Sequence, residues 1–147
     1  MRWTILIAVV VVVWLLGFGL LQLRRLAQVT LRKGERALMQ ARGITARINC
    51  NQPLSPGLRT NVENQRQVVA LLTDQRLAVA TWRGVLVDIA AGDTMRVTAP
   101  GPKRLVIEGE RQARGKGGRP AQLRVELLVD KPEPWVAGIE RLLGNET

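Results

Sequence analysis

Histidine and tyrosine are absent from this sequence, and phenylalanine, serine and cysteine each occur once. Without histidine the chain lacks the commonest general base, the commonest zinc ligand and the one side chain that normally titrates near neutral pH. A single cysteine, Cys50, excludes an intramolecular disulfide. Cys50 ends the apolar face of a strand-like segment and reads as a buried structural thiol. Ser55 sits between prolines with no imidazole to activate it. One Phe and four Trp leave few flat rings on which single-stranded nucleic acid could stack. Acidic residues are also scarce, 12 against 22 basic, for a net charge of +10.

Residues 5–21 are all apolar or glycine. Extended to residues 3–23, this segment forms a helix long enough for the ~30 Å hydrocarbon core of a bilayer at ~1.5 Å rise per residue. The run from Val9 to Val13 is β-branched, but in lipid the backbone must satisfy its own hydrogen bonds, which selects helix. Trp3 falls where an interfacial anchor is expected, and Trp14 falls mid-membrane. A cleaved signal peptide is the competing reading. The apolar run is long for one, Arg2 alone precedes it, and no small-x-small cleavage site follows it. Arg24, Arg25, Arg32, Lys33 and Arg36 follow the segment, so the positive-inside rule places the C-terminal part in the cytoplasm of a single-pass inner-membrane protein. Without Arg2 and the juxtamembrane Arg24, Arg25, Arg32 and Lys33, the remainder carries 17 basic and 12 acidic residues, a net of +5.

Residues 24–33 continue the helical pattern as a basic stalk. Leu23, Leu26, Ala27 and Thr30 share a face, and Gly34 is a stop. Residues 34–147 then form one soluble domain in which the apolar period changes from 3.6 to 2. Ala37, Met39 and Ala41 alternate with polar residues, and the phase slips at Gly43 before Ile44, Ala46, Ile48 and Cys50 take it up. A glycine at a phase slip predicts a β-bulge in one long, bent strand. Residues 51–64, with Pro53, Pro56 and Gly57, predict a long loop. Further strands follow at residues 66–73, at 77–83, and around Val85, Val87 and Ile89. Three more are expected around Met95, Val97 and Ala99, at Leu105 and Ile107, and over Leu123, Val125, Leu127 and Val129. Trp135, Ile139 and Leu142 lie at i, i+4 and i+7 of a closing helix, with Pro134 in its first turn and Gly144 as its stop. Seven strands in succession joined by short turns predict an antiparallel meander. Such a sheet curls to manage its edges, with the helix capping an open end.

Certain residues carry a resemblance. Gly34-Glu35 leads into the first strand, Leu72-Thr73-Asp74-Gln75-Arg76-Leu77 forms a hairpin, and Val87-Asp88-Ile89 forms a short strand after it. With Trp135 in the closing helix, residues 34–144 resemble the bacterial pleckstrin-homology-like and GRAM-like domains. The resemblance implies a mostly β fold: a small antiparallel barrel or sandwich of about seven strands with a C-terminal capping helix, here preceded by one transmembrane helix. It also implies a membrane-associated, mostly non-catalytic binding module, and it does not fix a ligand.

No catalytic constellation stands out. Asp88, Asp93, Glu108 and Glu110 are isolated or flank turns and read as surface carboxylates. Gly115-Lys116-Gly117-Gly118 lacks the spacing and the terminal Lys-Ser/Thr of a phosphate loop. No cofactor or metal is expected. Charge is the feature above background. Arg111, Arg114, Lys116 and Arg119 occupy one loop without an acid, and Lys103 and Arg104 sit on the hairpin before it. Read functionally, these six are a site for anionic lipid headgroups; read structurally, the loop is a solvated linker. Nucleic acid is disfavoured as a partner because aromatic interleaving is absent. Two functions follow as expectations. The first is a membrane-anchored, non-enzymatic binding or scaffold module. The second is an accessory subunit of a larger membrane complex, its helix packed on partner helices through Trp14 and the Gly17/Gly19 pair.

Overall fold

The computed structural model describes residues 10–14, 29–51, 61–113 and 118–144. Among the described residues seven strands follow one another and a helix comes after them. They are β1 (Ala37–Cys50), β2 (Asn61–Thr73), β3 (Arg76–Thr81), β4 (Gly84–Ala90), β5 (Thr94–Gly101), β6 (Arg104–Arg111), β7 (Ala121–Leu128) and α1 (Pro132–Leu143). The domain is thus mostly β, as the alternating pattern predicts. Residues 10–14 are helical, and the rest of the expected span over residues 3–23 lies outside the described residues. Among the described residues no helix is long and apolar enough to cross a membrane. The helical stalk expected over residues 24–33 does not extend through 29–33. Residues 29–32 are irregular, 33 and 34 form a turn, and 24–28 lie outside the described residues.

All pairings are antiparallel, in one sheet of order β4-β3-β2-β1-β7-β6-β5. This is not the single meander expected from the order of strands. Two meanders, β1 to β4 and β5 to β7, are joined because β1 is long enough to pair with β2 on one side and β7 on the other. The sheet is open, yet it cannot be flat. Seven flat strands would set the two edges about 29 Å apart, at ~4.8 Å per neighbour. Edge strands β4 and β5 are joined by residues 91–93 alone, a connection that spans at most about 14 Å. The sheet therefore rolls until its edges approach at that corner.

The roll is helped where β1 and β2 bend together. The β1–β2 register shifts between Ala41 and Ile44, where Gly43 takes φ +67°, and Gln67 on the facing strand has φ 59°. The bulge predicted at Gly43 is therefore present, with a non-glycine counterpart opposite that the sequence pattern did not reveal. The expected loop over 51–64 is shorter than predicted. β2 begins at Asn61, because Asn61 and Val62 pair with Asn49 and Ile48 through the backbone and need no apolar alternation to do so. Pro100 falls inside β5, where an edge strand tolerates the missing N–H.

The core lies inside the roll. Ile48, Val68, Leu72, Leu77, Val79, Val87, Ile89, Leu105, Ile107, Val125 and Leu127 are all buried there. Helix α1 begins with Pro132 in its first turn and ends at Gly144, whose φ of +72° gives a left-handed cap. It inserts Trp135 and Ile139 into this core and contacts β5, β6 and β2. Gly138 lets it approach the other half of the sheet: a Cβ there would lie 2.6 Å from Leu72 Cδ2 and 2.8 Å from Met39 Cε. The helix thus spans the gap between the two meanders.

Candidate functional site

Along β7 the pleat alternates cleanly between the core and the outer face. Ala121, Leu123, Val125 and Leu127 turn inward, and Gln122 and Arg124 are exposed. The register sets Asn49 opposite Arg124, Arg124 opposite Glu108, and Glu108 opposite Arg96, one polar row across four strands. Arg124 binds Glu108 at 2.9 Å and Glu126 at 3.0 Å. Beside the row, Gln122 N–H donates to Asn51 Oδ1 at 2.9 Å and Asn51 N–H donates to the Gln122 carbonyl at 3.2 Å. The result is an open cleft of about 660 Å³ with Arg96, Glu108, Arg124 and the amides of Asn49, Asn51 and Gln122 on its walls. Its shape depends on Gly109. That residue has φ +149°, and a Cβ there would overlap the Thr94 carbonyl oxygen. Only glycine lets β5 come this close.

The cleft offers guanidinium and amide donors beside one carboxylate that Arg124 already holds. It suits a ligand recognised by hydrogen bonds and partial negative charge. Cys50 borders it but is buried. Among the described residues no group of three His, Cys, Asp or Glu side chains could hold a metal ion.

A second polar cluster lies where the chain joins the sheet. Glu35 Oε1 accepts from Arg76 Nε at 2.7 Å and from the Thr73 hydroxyl at 2.8 Å, and Glu35 Oε2 accepts from Arg32 N–H at 2.7 Å. Both side chains of the ion pair are essentially inaccessible to solvent. Arg76 also donates to the Thr30 carbonyl at 3.1 Å and approaches Asp88 at 3.5 Å, and Arg32 binds the same Asp88 oxygen at 2.9 Å. Asp74 Oδ1 accepts from Arg36 N–H at 2.9 Å. Hydrogen bonding from Arg76 outweighs the effect of burial and, with the Arg32 and Thr73 donors, holds the Glu35 carboxyl at a pKa of about 2, below the usual 4.5. The Glu35 carboxylate in turn raises the pKa of Arg76. Residues 30–36 are thereby clasped to the β2–β3 turn and to β4.

Three sequence readings are corrected here. Asp88 is not a plain surface carboxylate, because it serves two arginines. Asp93 is buried and caps the sheet corner, accepting from Ala90 N–H and Gln112 N–H at 2.9 Å each. Arg76, read only as part of the hairpin at residues 72–77, is the centre of the clasp.

The described residues among those proposed for anionic lipid fall in two groups. Lys103 and Arg104 stand at the β5–β6 turn, where Lys103 meets Asp130 at 3.2 Å. Arg111 is at the far end of β6, half-buried, and Arg119 is exposed just before β7. An eight-residue strand separates the two groups by about 23 Å. Arg114, Lys116, Arg24 and Arg25 lie outside the described residues. Arg32 is engaged with Asp88, and Lys33 is exposed at its turn. The cleft residues Arg96 and Arg124 were not singled out from sequence. Their only signal is an arginine at an outward strand position, and the register that aligns them comes from long-range pairing.

No protein-family model matches the chain, and comparison with curated proteins and with solved structures finds no match.

Proposed function

We propose that the chain is a single-pass inner-membrane protein. Its cytoplasmic domain is a pleckstrin-homology-like, non-catalytic binding or scaffold module. The observation that carries the reading is the uninterrupted apolar run of residues 5–21, followed after Gln22 and Leu23 by Arg24 and Arg25. The domain supports its second half. A bent β1 shared by two meanders, with a helix across their gap, agrees with the barrel-like fold that the resemblance implies. Glu35, Thr73, Arg76 and Asp88, which lie in the motifs that carry the resemblance, meet in one network. In this reading the ligand or partner is held in the polar cleft of Arg96 and Arg124. Arg111, Arg114, Lys116 and Arg119 add attraction to anionic headgroups.

The test is made on the full chain. Expressed in bacteria, it should float with membranes and resist alkaline extraction. A reporter fused after Thr147 that works only outside the cytoplasm should stay silent. Release by alkali, or an active reporter, contradicts the anchor or its orientation. Reconstituted chain carrying Gln at 111, 114, 116 and 119 should cluster anionic vesicles less than chain carrying Gln at the exposed Arg42, Arg47, Arg66 and Arg83. Equal loss in both would leave diffuse charge in place of a site. Co-purification of a stoichiometric membrane partner in mild detergent would favour the accessory-subunit reading instead.

A further inference from the structure

β1 is paired further along one edge than along the other. It pairs with β2 from Ala37 to Asn49, but with β7 only from Thr45 to Cys50. β7 ends at Leu128, Val129 N–H donates to the Lys103 carbonyl on the side of β6, and Pro132 starts α1. Among the described residues no strand therefore lies against the second edge of residues 37–44. That edge is about 26 Å long at ~3.3 Å per residue, and about half of the segment's N–H and C=O groups point to it. Helix α1 does not take them. It reaches this segment on the core side, where a Cβ at Gly138 would meet the Met39 side chain. Ala37, Leu38, Gln40, Arg42 and Gly43 are exposed, so the segment is open to solvent. An unpaired edge of this length is a template for another strand.

We propose that residues 37–44 take an extended acidic segment of a partner protein as an added strand, antiparallel to β1. Main-chain hydrogen bonds supply the attachment and side chains supply the choice of partner. Met39 and Ala41 pack toward the core, so Leu38, Gln40 and Arg42 stand on the outer face. Leu38 is 54% exposed and offers an apolar contact at one end. Arg42 is exposed at the other end and has no ion pair among the described residues. From residue 36 to residue 50 every charge is basic, at Arg36, Arg42 and Arg47. A second copy added edge to edge brings these arginines together, which disfavours it, and the bulge at Gly43 breaks the flat register that two identical edges need. An acidic residue opposite Arg42 is favoured by the same rule. The incoming strand therefore carries an acid and, four positions later on the same side, an apolar residue. Between them, small or apolar residues face Met39 and Ala41. This edge is separate from the polar cleft, which draws on Asn49 and Asn51 at the other end of β1.

The test uses the full chain in mild detergent, with amide hydrogen exchange read by mass spectrometry. The probe is the peptide Thr-Glu-Val-Thr-Val-Leu-Thr, added up to millimolar concentration. Without peptide, residues 37–44 should exchange faster than residues 45–50, which are paired on both edges. The peptide should slow exchange in 37–44 at least about tenfold and leave 45–50 unchanged. A peptide with Lys in place of Glu should bind about fivefold more weakly, and the surface substitution Arg42→Glu should reverse that order. Methylating the backbone nitrogens of the probe should abolish the protection. No protection at millimolar peptide overturns the proposal, as does equal protection by the methylated probe. Equal binding of the Glu and Lys peptides overturns the acidic assignment. If 37–44 is already protected without peptide, and that protection is lost as a dimer dissociates on dilution, the occupant is a second copy and the proposal fails.

Discussion

β3 and β7 use the same pleat in opposite ways. All six residues of β3 are buried, including the arginine at its start. β7 alternates, with four inward apolar residues and exposed polar ones between them. One strand is covered on both faces and the other on one. The ion pairs follow the same division. Glu35 and Arg76 are inaccessible to solvent, while Glu108 and Arg124 are about half exposed. The chemistry of the two pairs is the same, so the difference in what they contribute must come from water. Without Arg76, buried Glu35 keeps only the neutral Thr73 hydroxyl and Arg32 N–H as donors, and no countercharge. On the surface, solvent replaces the partner.

The largest effect is expected at the clasp. Arg76→Met leaves Glu35 buried and unpaired and should cost about 3 to 5 kcal/mol in a urea melt of the full chain in mild detergent. A loss near 1 kcal/mol would mean that water reaches the pair and would erase the contrast between the halves. Of similar size is Trp135→Ala, which empties a core site under the helix that joins both halves. About 3 to 5 kcal/mol should be lost. An unchanged melting temperature would detach the helix from the account.

Gly109→Ala sharpens the comparison from the wet side. It should cost about 2 to 4 kcal/mol, combining backbone strain with a clash against a fixed carbonyl. It should also alter the cleft, where Gly84→Ala at an exposed turn with open space around it strains only the local backbone. Equal costs for the two substitutions would show that the close approach of β5 and β6 is not what Gly109 serves.

A smaller effect should appear in acid. The Glu35 pKa is lowered on folding, so its contribution is fully present above about pH 4.5. It is lost as the pH falls from there through about 2. Stability should drop across that window in the parent chain. Glu35→Gln should be less stable at neutral pH, with a shallower acid slope. An unchanged slope would assign the acid sensitivity to other groups.

Much of the frame was legible in the sequence because it rests on short-range periodicity. The alternation of Leu123, Val125 and Leu127 is a strand wherever its partner lies. Gly43 marks a bulge by phase alone, and Trp135 with Ile139 marks the buried side of a helix. What stayed hidden depends on residues far apart in the chain. The pairing of β1 with β7, the positive φ of Gln67 and the alignment of Asn49, Arg124, Glu108 and Arg96 follow from register across the sheet. Glu35 and Arg76 lie 41 residues apart. Both sit in segments that carry the resemblance, yet nothing in their local pattern distinguishes a buried pair from two surface charges. The distance between the described basic residues was hidden for the same reason. Lys103 and Arg111 are near in sequence, and a straight strand holds them apart.

The most direct test is a pair of double-mutant cycles on the full chain, one for Glu35 and Arg76 and one for Glu108 and Arg124, each partner replaced by Gln or Met. The account predicts a coupling of about 2 to 3 kcal/mol for the first pair and below about 1 kcal/mol for the second. Equal couplings would contradict it, because the clasped, two-sided half and the wet half would then be electrostatically the same.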